Sequence, residues 1–573
     1  MRLSVVNLDD MVGGVTMPPK DPKIEPLQDF IQHLSPRLNS LRWVAEKKPE
    51  AFAPALFSFG IRRRVQIADA PSLLPPDGWA VAMLVPAADR LRRHFGANWD
   101  PMALPSTWPN ILYEAVDDVM TGLWHLRGGM TVSAALIARS LLERWTLNVA
   151  HHFEIEREPG EDDAEYISRV WRSYGHPTIP EEVGAWWSWL SELLHGRDGN
   201  AAFGTDNSRA IQLVDSDNVS LHSSISRILE LSLRQVRGGL SALAEAEELT
   251  DTIAIFQCRA PQLSPMDEPF PLTEAFLPLE YYESYRVRSE QWVQLASIYR
   301  TNVEDESWNL TTGFSPVMAC EALLERRGRA VERARLAFED EKRLRLADFD
   351  PGMLASKLFR FISIAQMGRI LANDASAHER ASLVTAAQAI DGAAQLWLED
   401  SDYSMGCLRV LLEQTARLRV HRLKPDRAAR LEAAYRTPSS RWISAAGWGR
   451  LAVLMRAVNE FAHIGLRTRR AGARRVLQRL QVEEDGLQTS RGDALMSVVY
   501  MFAFELHARL SVEPVVASAF TRTVTLLDED GHVARLESYL QKAHAWRQED
   551  FGSPDFVAAN QSVPGAVPVS DGP

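Results

Sequence analysis

Cysteine is scarce. The 573 residues hold three, Cys258, Cys320 and Cys407, none in a C-x-x-C spacing that could hold zinc or form a redox disulfide, so reduced, buried thiols are expected. Long apolar runs are missing too. No stretch approaches the roughly 18 uninterrupted apolar residues of a membrane span, and no basic region followed by an apolar one stands at the N-terminus. A cytoplasmic protein is the expectation. The chain also lacks G-x-x-x-x-G-K-[ST], a post-strand G-x-G-x-x-G, G-x-S-x-G and H-E-x-x-H, which argues against P-loop, Rossmann, α/β-hydrolase and zincin chemistry. Sustained apolar/polar alternation is almost absent. Thr523-Val524-Thr525-Leu526-Leu527, ahead of Asp-Glu-Asp-Gly, is the candidate for a short strand. Excess positive charge is missing as well. The net charge of −12 argues against nucleic-acid binding by the whole surface, although a total hides its distribution along the chain.

What is present is the material of a globular helical protein. Hydrophobic residues make up 46% and charged residues 24%, and the length exceeds what one core can organise, so two or three domains are expected. Segments 110–125, 130–153, 219–247, 378–398, 404–422 and 490–511 repeat apolar residues at i, i+3, i+4 and i+7, the period of an amphipathic helix. The class is all-α. The 16 Trp residues are read as filling between helices rather than as binding groups. A Pro-studded stretch, Pro261 to Pro278, marks a linker. The expected organisation is a poorly ordered 1–25, a helical bundle with an N-terminal extension at 26–256, a linker and helical middle region at 257–375, a second bundle at 376–550 and a poorly ordered 551–573. Within the middle region, the Glu- and Arg-laced helix 321–346 is read as a solvated face.

The chain also repeats itself. ALIARSLLERW followed by LSELLHG in the first unit corresponds to GCLRVLLEQTA followed by VNEFAHIG in the second. Arg139 and Glu143 match Arg409 and Glu413, and Glu192 and His195 match Glu460 and His463. Trp124 and Trp397 precede them on the preceding helix of each unit. An i,i+4 Arg/Glu pair lies on one face of a helix, and so does an i,i+3 Glu/His pair, so each unit can point four polar groups at one helix–helix seam. The expected role of Arg139, Glu143, Glu192, His195, Arg409, Glu413 and Glu460 is a buried hydrogen-bonded network that fixes helix pairing.

RSLLE on one helix with LSELLHG on a later one resembles the helical bundles of the HEPN class, prokaryotic proteins many of which are linked to phage defence or toxin–antitoxin pairs. The resemblance covers about 110–250 and 380–515. It implies two tandem bundles in one chain and, in active members, a metal-independent ribonuclease that uses an Arg-x4–6-His motif from each of two bundles meeting face to face. The second unit carries that motif as Arg456 and His463. There His463 could move the 2′-hydroxyl proton or protonate the leaving oxygen, while Arg456 holds the phosphate. The first unit departs from it. Ser188 stands seven residues before His195, and its fitting pair, Arg144 and His151, sits on the earlier helix.

Charge separates the units further. Residues 409–479 hold 17 Lys/Arg against 4 Asp/Glu, and 139–211 hold 7 against 13, giving +13 and −6. Arg467, Arg469, Arg470, Arg474, Arg475 and Arg479 follow His463, a clustering that points to RNA or another polyanion. The same charge would suit docking on the acidic unit or on an acidic protein partner, in which case the chain is a non-catalytic scaffold. A third arrangement uses Glu143, Glu192, His195, Glu413, Glu460 and His463 as di-iron ligands. It ranks last, because an Arg four residues before Glu143 and Glu413 opposes a cation, and the long stretch between Glu143 and Glu192 exceeds an antiparallel connection. No metal and no cofactor are therefore expected. The adjacent His151 and His152 diverge by about 100° on a helix and are not expected to share a site.

Overall fold

The structure, a computed structural model, describes residues 36–53, 55–57, 118, 121, 122, 125, 130–152, 154–173, 180–195, 354–372, 375–399, 401, 403–434, 437–455, 486–524 and 528–551. Among them the regular structure is helical throughout, with no strand. In chain order the helices are α1 Pro36–Lys47, α2 Thr131–His152, α3 Asp163–Ser173, α4 Pro180–Leu194, α5 Leu354–Ala372, α6 Ala377–Leu398, α7 Tyr403–Leu423, α8 Pro425–Ala433, α9 Ser439–Ala445, α10 Gly449–Leu454, α11 Gly486–Arg509, α12 Pro514–Val524 and α13 Glu529–Phe551. The 3.6-residue periodicity therefore locates α2, α6, α7 and α11 to within a few residues. Of the segment 110–125, residues 118, 121, 122 and 125 are described, and all are helical. The segments 219–247, 257–353 and 552–573, with Cys258 and Cys320, lie outside the described residues, as do 1–35 and Trp124. Cys407 is buried, which pushes its thiol far above the usual range.

Helix α7 is the axis of the fold. Residues 403–418 are all buried, because α2, α6, α8, α9 and α11 surround the helix. A helix enclosed on all sides is normally apolar throughout. This one instead carries Arg409, Glu413 and Arg417 into the interior, and their partners come from the surrounding helices. Pro425 ends it: lacking an N–H, the ring cannot continue α7 but suits the first turn of α8.

The helices assigned by sequence to two units share one continuous apolar core, which runs from α1 to α13. Helix α2 of the first unit packs on both α6 and α7 of the second. Two glycines permit that approach: a Cβ on Gly392 would lie 2.6 Å from Cβ of Ser133, and one on Gly406 would lie 2.5 Å from a Leu136 methyl. Helix α5, which sequence organisation places in the middle region, packs along α6 and α11 and so forms part of the same core. Among the described tryptophans, Trp145, Trp171, Trp186, Trp187, Trp189, Trp397, Trp442 and Trp448 are buried and fill gaps between helices, whereas Trp43 on α1 is exposed.

The expected strand at 523–527 is a correction. Thr523 and Val524 close α12, and residues 525–527 lie outside the described residues. The helical period outweighs the β-branched composition here, because Val516, Ala519, Phe520, Thr523 and Val524 bury one face. Thr523 also bonds back to the carbonyl of Ala519, as a helical threonine does.

Helix α11 packs on α5, α6, α7, α12 and α13. Residues 491–512 have the length and apolarity to cross a membrane, and 67% of the relevant stretch is buried by neighbouring helices. Its Glu505 is fully buried and gathers Arg419, Arg422 and Arg509 at 3.5, 2.7 and 3.2 Å. Against α13, Tyr500 stacks on His532 with ring centroids 4.4 Å apart. Both ring nitrogens of His532 are buried without a hydrogen-bond partner. Burial, reinforced by Arg535 and opposed by Asp528, pulls this histidine down to about 4. The unfolded chain then binds a proton that the folded chain refuses. Stability should fall as pH drops from about 6.5 to about 4, and His532→Phe should flatten that slope. Urea-denaturation midpoints taken across this range would check it; parallel slopes for the two proteins would remove His532 as the cause.

Candidate functional site

Arg139, Glu143, His195, Arg409 and Glu413 meet where α2, α4, α7 and α9 come together. On α2, Nε of Arg139 donates to Glu143 at 3.2 Å, and both side chains are 3% exposed. Trp187, from α4, completes this pair: its indole N–H donates to the same Glu143 oxygen at 2.9 Å while the Arg139 guanidinium lies 4.7 Å from its ring centroid. An arginine over an aromatic face beside a carboxylate suits a desolvated site, where each contact is stronger than in water.

On α7 the pattern differs. Glu413 does not pair with Arg409 four residues earlier but with His195, 218 residues away at the end of α4; Nδ1 lies 2.8 and 3.0 Å from the two carboxylate oxygens. Ser439, at the start of α9, donates its hydroxyl to Glu413 at 2.5 Å and accepts from Arg409 Nη2 at 3.2 Å. The serine thus stands between the arginine and the glutamate. Arg417, one turn further along α7, fixes the backbone of the same histidine by donating to the His195 carbonyl. Its other nitrogens hold Glu432 of α8 at 2.7 and 2.8 Å, and it lies over Trp442. His195 is therefore fixed at both ring and backbone.

The electrostatics follow from this packing. Burial works to raise the Glu413 carboxyl, but His195, Arg409 and the Ser439 hydroxyl outweigh it and hold it at about 2. Burial pulls His195 below its usual value against the attraction of Glu413, and the charges of Arg409 and Arg139 push the same way. The ring is then neutral at pH 7. Because a carboxylate only accepts, Nδ1 carries the hydrogen and Nε2 is left as an acceptor. A carboxylate that orients one nitrogen and leaves the other open gives a histidine able to take up or deliver a proton.

Of the residues expected in the polar network, Arg139, Glu143, His195, Arg409 and Glu413 come together. Glu192 is half-buried one turn before His195 on α4. Glu460, Arg456, His463 and the arginines at 467, 469, 470, 474, 475 and 479 lie outside the described residues. Arg144 is occupied elsewhere, buried against Asp118 at 2.5 Å and donating to the Tyr403 hydroxyl at 3.0 Å, and the side chains of His151 and His152 are outside the description. Among the described residues no group of three His, Cys, Asp or Glu side chains is placed to hold a metal ion. Sequence reasoning missed Ser439, Trp187 and Arg417. Arg417 had a signal, since Arg409, Glu413 and Arg417 stand at successive i+4 positions on one face. Ser439 and Trp187 arrive from other helices and carry no such signal.

Removing one partner of a buried charged pair leaves the other desolvated. Glu413→Gln should therefore cost about 3–5 kcal/mol of stability, measured by chemical denaturation, whereas a change under about 0.5 kcal/mol would mean that the carboxylate does not organise the seam. Neither a protein-family model, nor a curated protein, nor a solved structure matches this chain.

Proposed function

We propose that this chain is an RNA-directed helical protein of the HEPN-like kind, cleaving RNA without a metal through Arg456 and His463. The unit containing α2 and α4 serves as the diverged partner of the basic unit. The observation that carries this reading is the contact of the units: α2 packs on α7, and His195 of one is held by Glu413 of the other. Two bundles meeting face to face, with ionisable groups at their seam, is the arrangement the resemblance implies for an active ribonuclease.

Charge supports the same reading. Of the basic residues in the second unit, Arg417, Arg419 and Arg422 are engaged with Glu432, Glu505 and Glu529. Arg427, Arg430 and Arg441, on α8 and α9, remain exposed, just ahead of the arginine-rich 467–479 in the chain. Cleavage would have His463 transfer a proton at the 2′-hydroxyl or the leaving oxygen, while Arg456 stabilises the developing charge on the phosphate.

Labelled single-stranded RNA, incubated with the purified chain at low salt in EDTA, tests this. The chain should bind RNA more weakly as salt rises and should cleave it. His463→Ala should retain binding and lose about 100-fold or more in cleavage. Reversing the six arginine charges between 467 and 479 should abolish binding. Absence of both binding and cleavage would refute the reading; a basic surface that captures an acidic protein while RNA is ignored would replace it with the scaffold.

A further inference from the structure

Arg409 is out of balance with its surroundings. Its side chain is 7% exposed, yet its guanidinium makes one hydrogen bond, to Ser439, forms no ion pair with a described residue, and buries Nε without an acceptor. A guanidinium has five N–H donors and stays charged, so burying it with one neutral partner is costly. Its neighbours on α2 and α7 are treated differently: Arg139 meets Glu143, Arg144 meets Asp118 and Arg417 meets Glu432. The carboxylate that would serve Arg409, Glu413 at i+4, is turned to His195 and Ser439 instead.

The neighbouring histidine is incomplete in the complementary sense. Nδ1 of His195 is committed to Glu413, Nε2 makes no hydrogen bond with a described residue, and the side chain is 19% exposed, so the seam reaches solvent there. His195 and Arg409 lie within electrostatic reach of one another, with Glu413 acting on both. Arg409 thus presents unused N–H donors, and His195 beside it one open acceptor. A tetrahedral oxyanion carrying a hydroxyl answers both needs: its charged oxygens accept from the arginine, and its O–H, or a neighbouring ribose O–H, donates to Nε2.

We propose that the seam between α4, α7 and α9 is a binding site for a phosphate group, held by Arg409 and His195 and braced by Glu413 and Ser439. Glu413 and Ser439 are positioning residues: one orients the imidazole, the other sets the guanidinium. The site uses described residues alone and is separate from Arg456 and His463. A free nucleotide and RNA both carry such a phosphate, and the chemistry of recognition is shared.

Calorimetric titration of the full chain with inorganic phosphate, a ribonucleoside monophosphate and a short single-stranded RNA tests the site, with the histidine ring resonances followed by NMR. Phosphate should bind saturably and shift the His195 resonance, assigned by its loss in His195→Gln. Arg409→Met should weaken phosphate binding by about tenfold or more at unchanged helical content, and Arg409→Lys should retain part of it. If Arg409→Met fails to fold, the His195 shift in the unaltered chain and the Arg409→Lys affinity decide. Saturable phosphate binding without RNA binding would uphold the site and remove the RNA-cleaving reading. Loss of phosphate binding in Arg409→Met while RNA still binds would also uphold it and place RNA elsewhere. A shift that never saturates, or equal phosphate affinity in the unaltered and Arg409→Met chains, would overturn it.

Discussion

The hydrogen bond between Glu413 and His195 joins parts of the chain that lie 218 residues apart, and the interior is organised around it. Glu413 sits in the middle of α7, the helix enclosed by its neighbours, and a carboxylate there must be compensated or neutralised. His195, Ser439 and the charge of Arg409 compensate it, and each comes with its own helix or turn: α4, α9 and α7 itself. The demands of one buried charge thus fix where three elements sit. Arg417 extends the same logic by holding the His195 carbonyl and Glu432, which brings α8 into place.

Such seams add little net stability, because desolvation offsets most of the attraction between buried charges. Specificity is their better-attested use. An apolar interface between α2 and α7 could slide by a turn at modest cost, whereas one carrying Arg139, Glu143, Trp187, His195 and Glu413 is held in register by directional bonds. On α2, Arg139 bonds directly to Glu143, while on α7 the glutamate at the same spacing is drawn to the histidine and the arginine bonds to a serine hydroxyl. This asymmetry between two Arg-x-x-x-Glu pairs of the same spacing is what motivates the proposed phosphate site.

Much of the helical layout was legible in the sequence, because apolar periodicity is strongest in long core helices such as α2, α6 and α11. The pairing Arg139–Glu143 was also legible, since i,i+4 partners share a face. The identical spacing of Arg409 and Glu413 places both on one face of α7 but does not name their partners, and Glu413 goes to His195, a choice set by how α4 approaches α7 and invisible to spacing. Ser439 could not be anticipated for the same reason. The β-branched run ending α12 misled because Thr523 and Val524 carry strand propensity, while the face they bury has helical spacing. The close packing of the helices assigned to the two units was not legible either: Gly392 and Gly406 let α2 come close enough to share an apolar core with α6 and α7 among the described residues.

The central claim is that His195 and Glu413 act as one unit across the seam. A double-mutant cycle of His195→Gln, Glu413→Gln and the combined variant, each measured by chemical denaturation, tests it most directly. The account predicts a coupling of about 1–3 kcal/mol between the two substitutions; additivity within about 0.5 kcal/mol would contradict it.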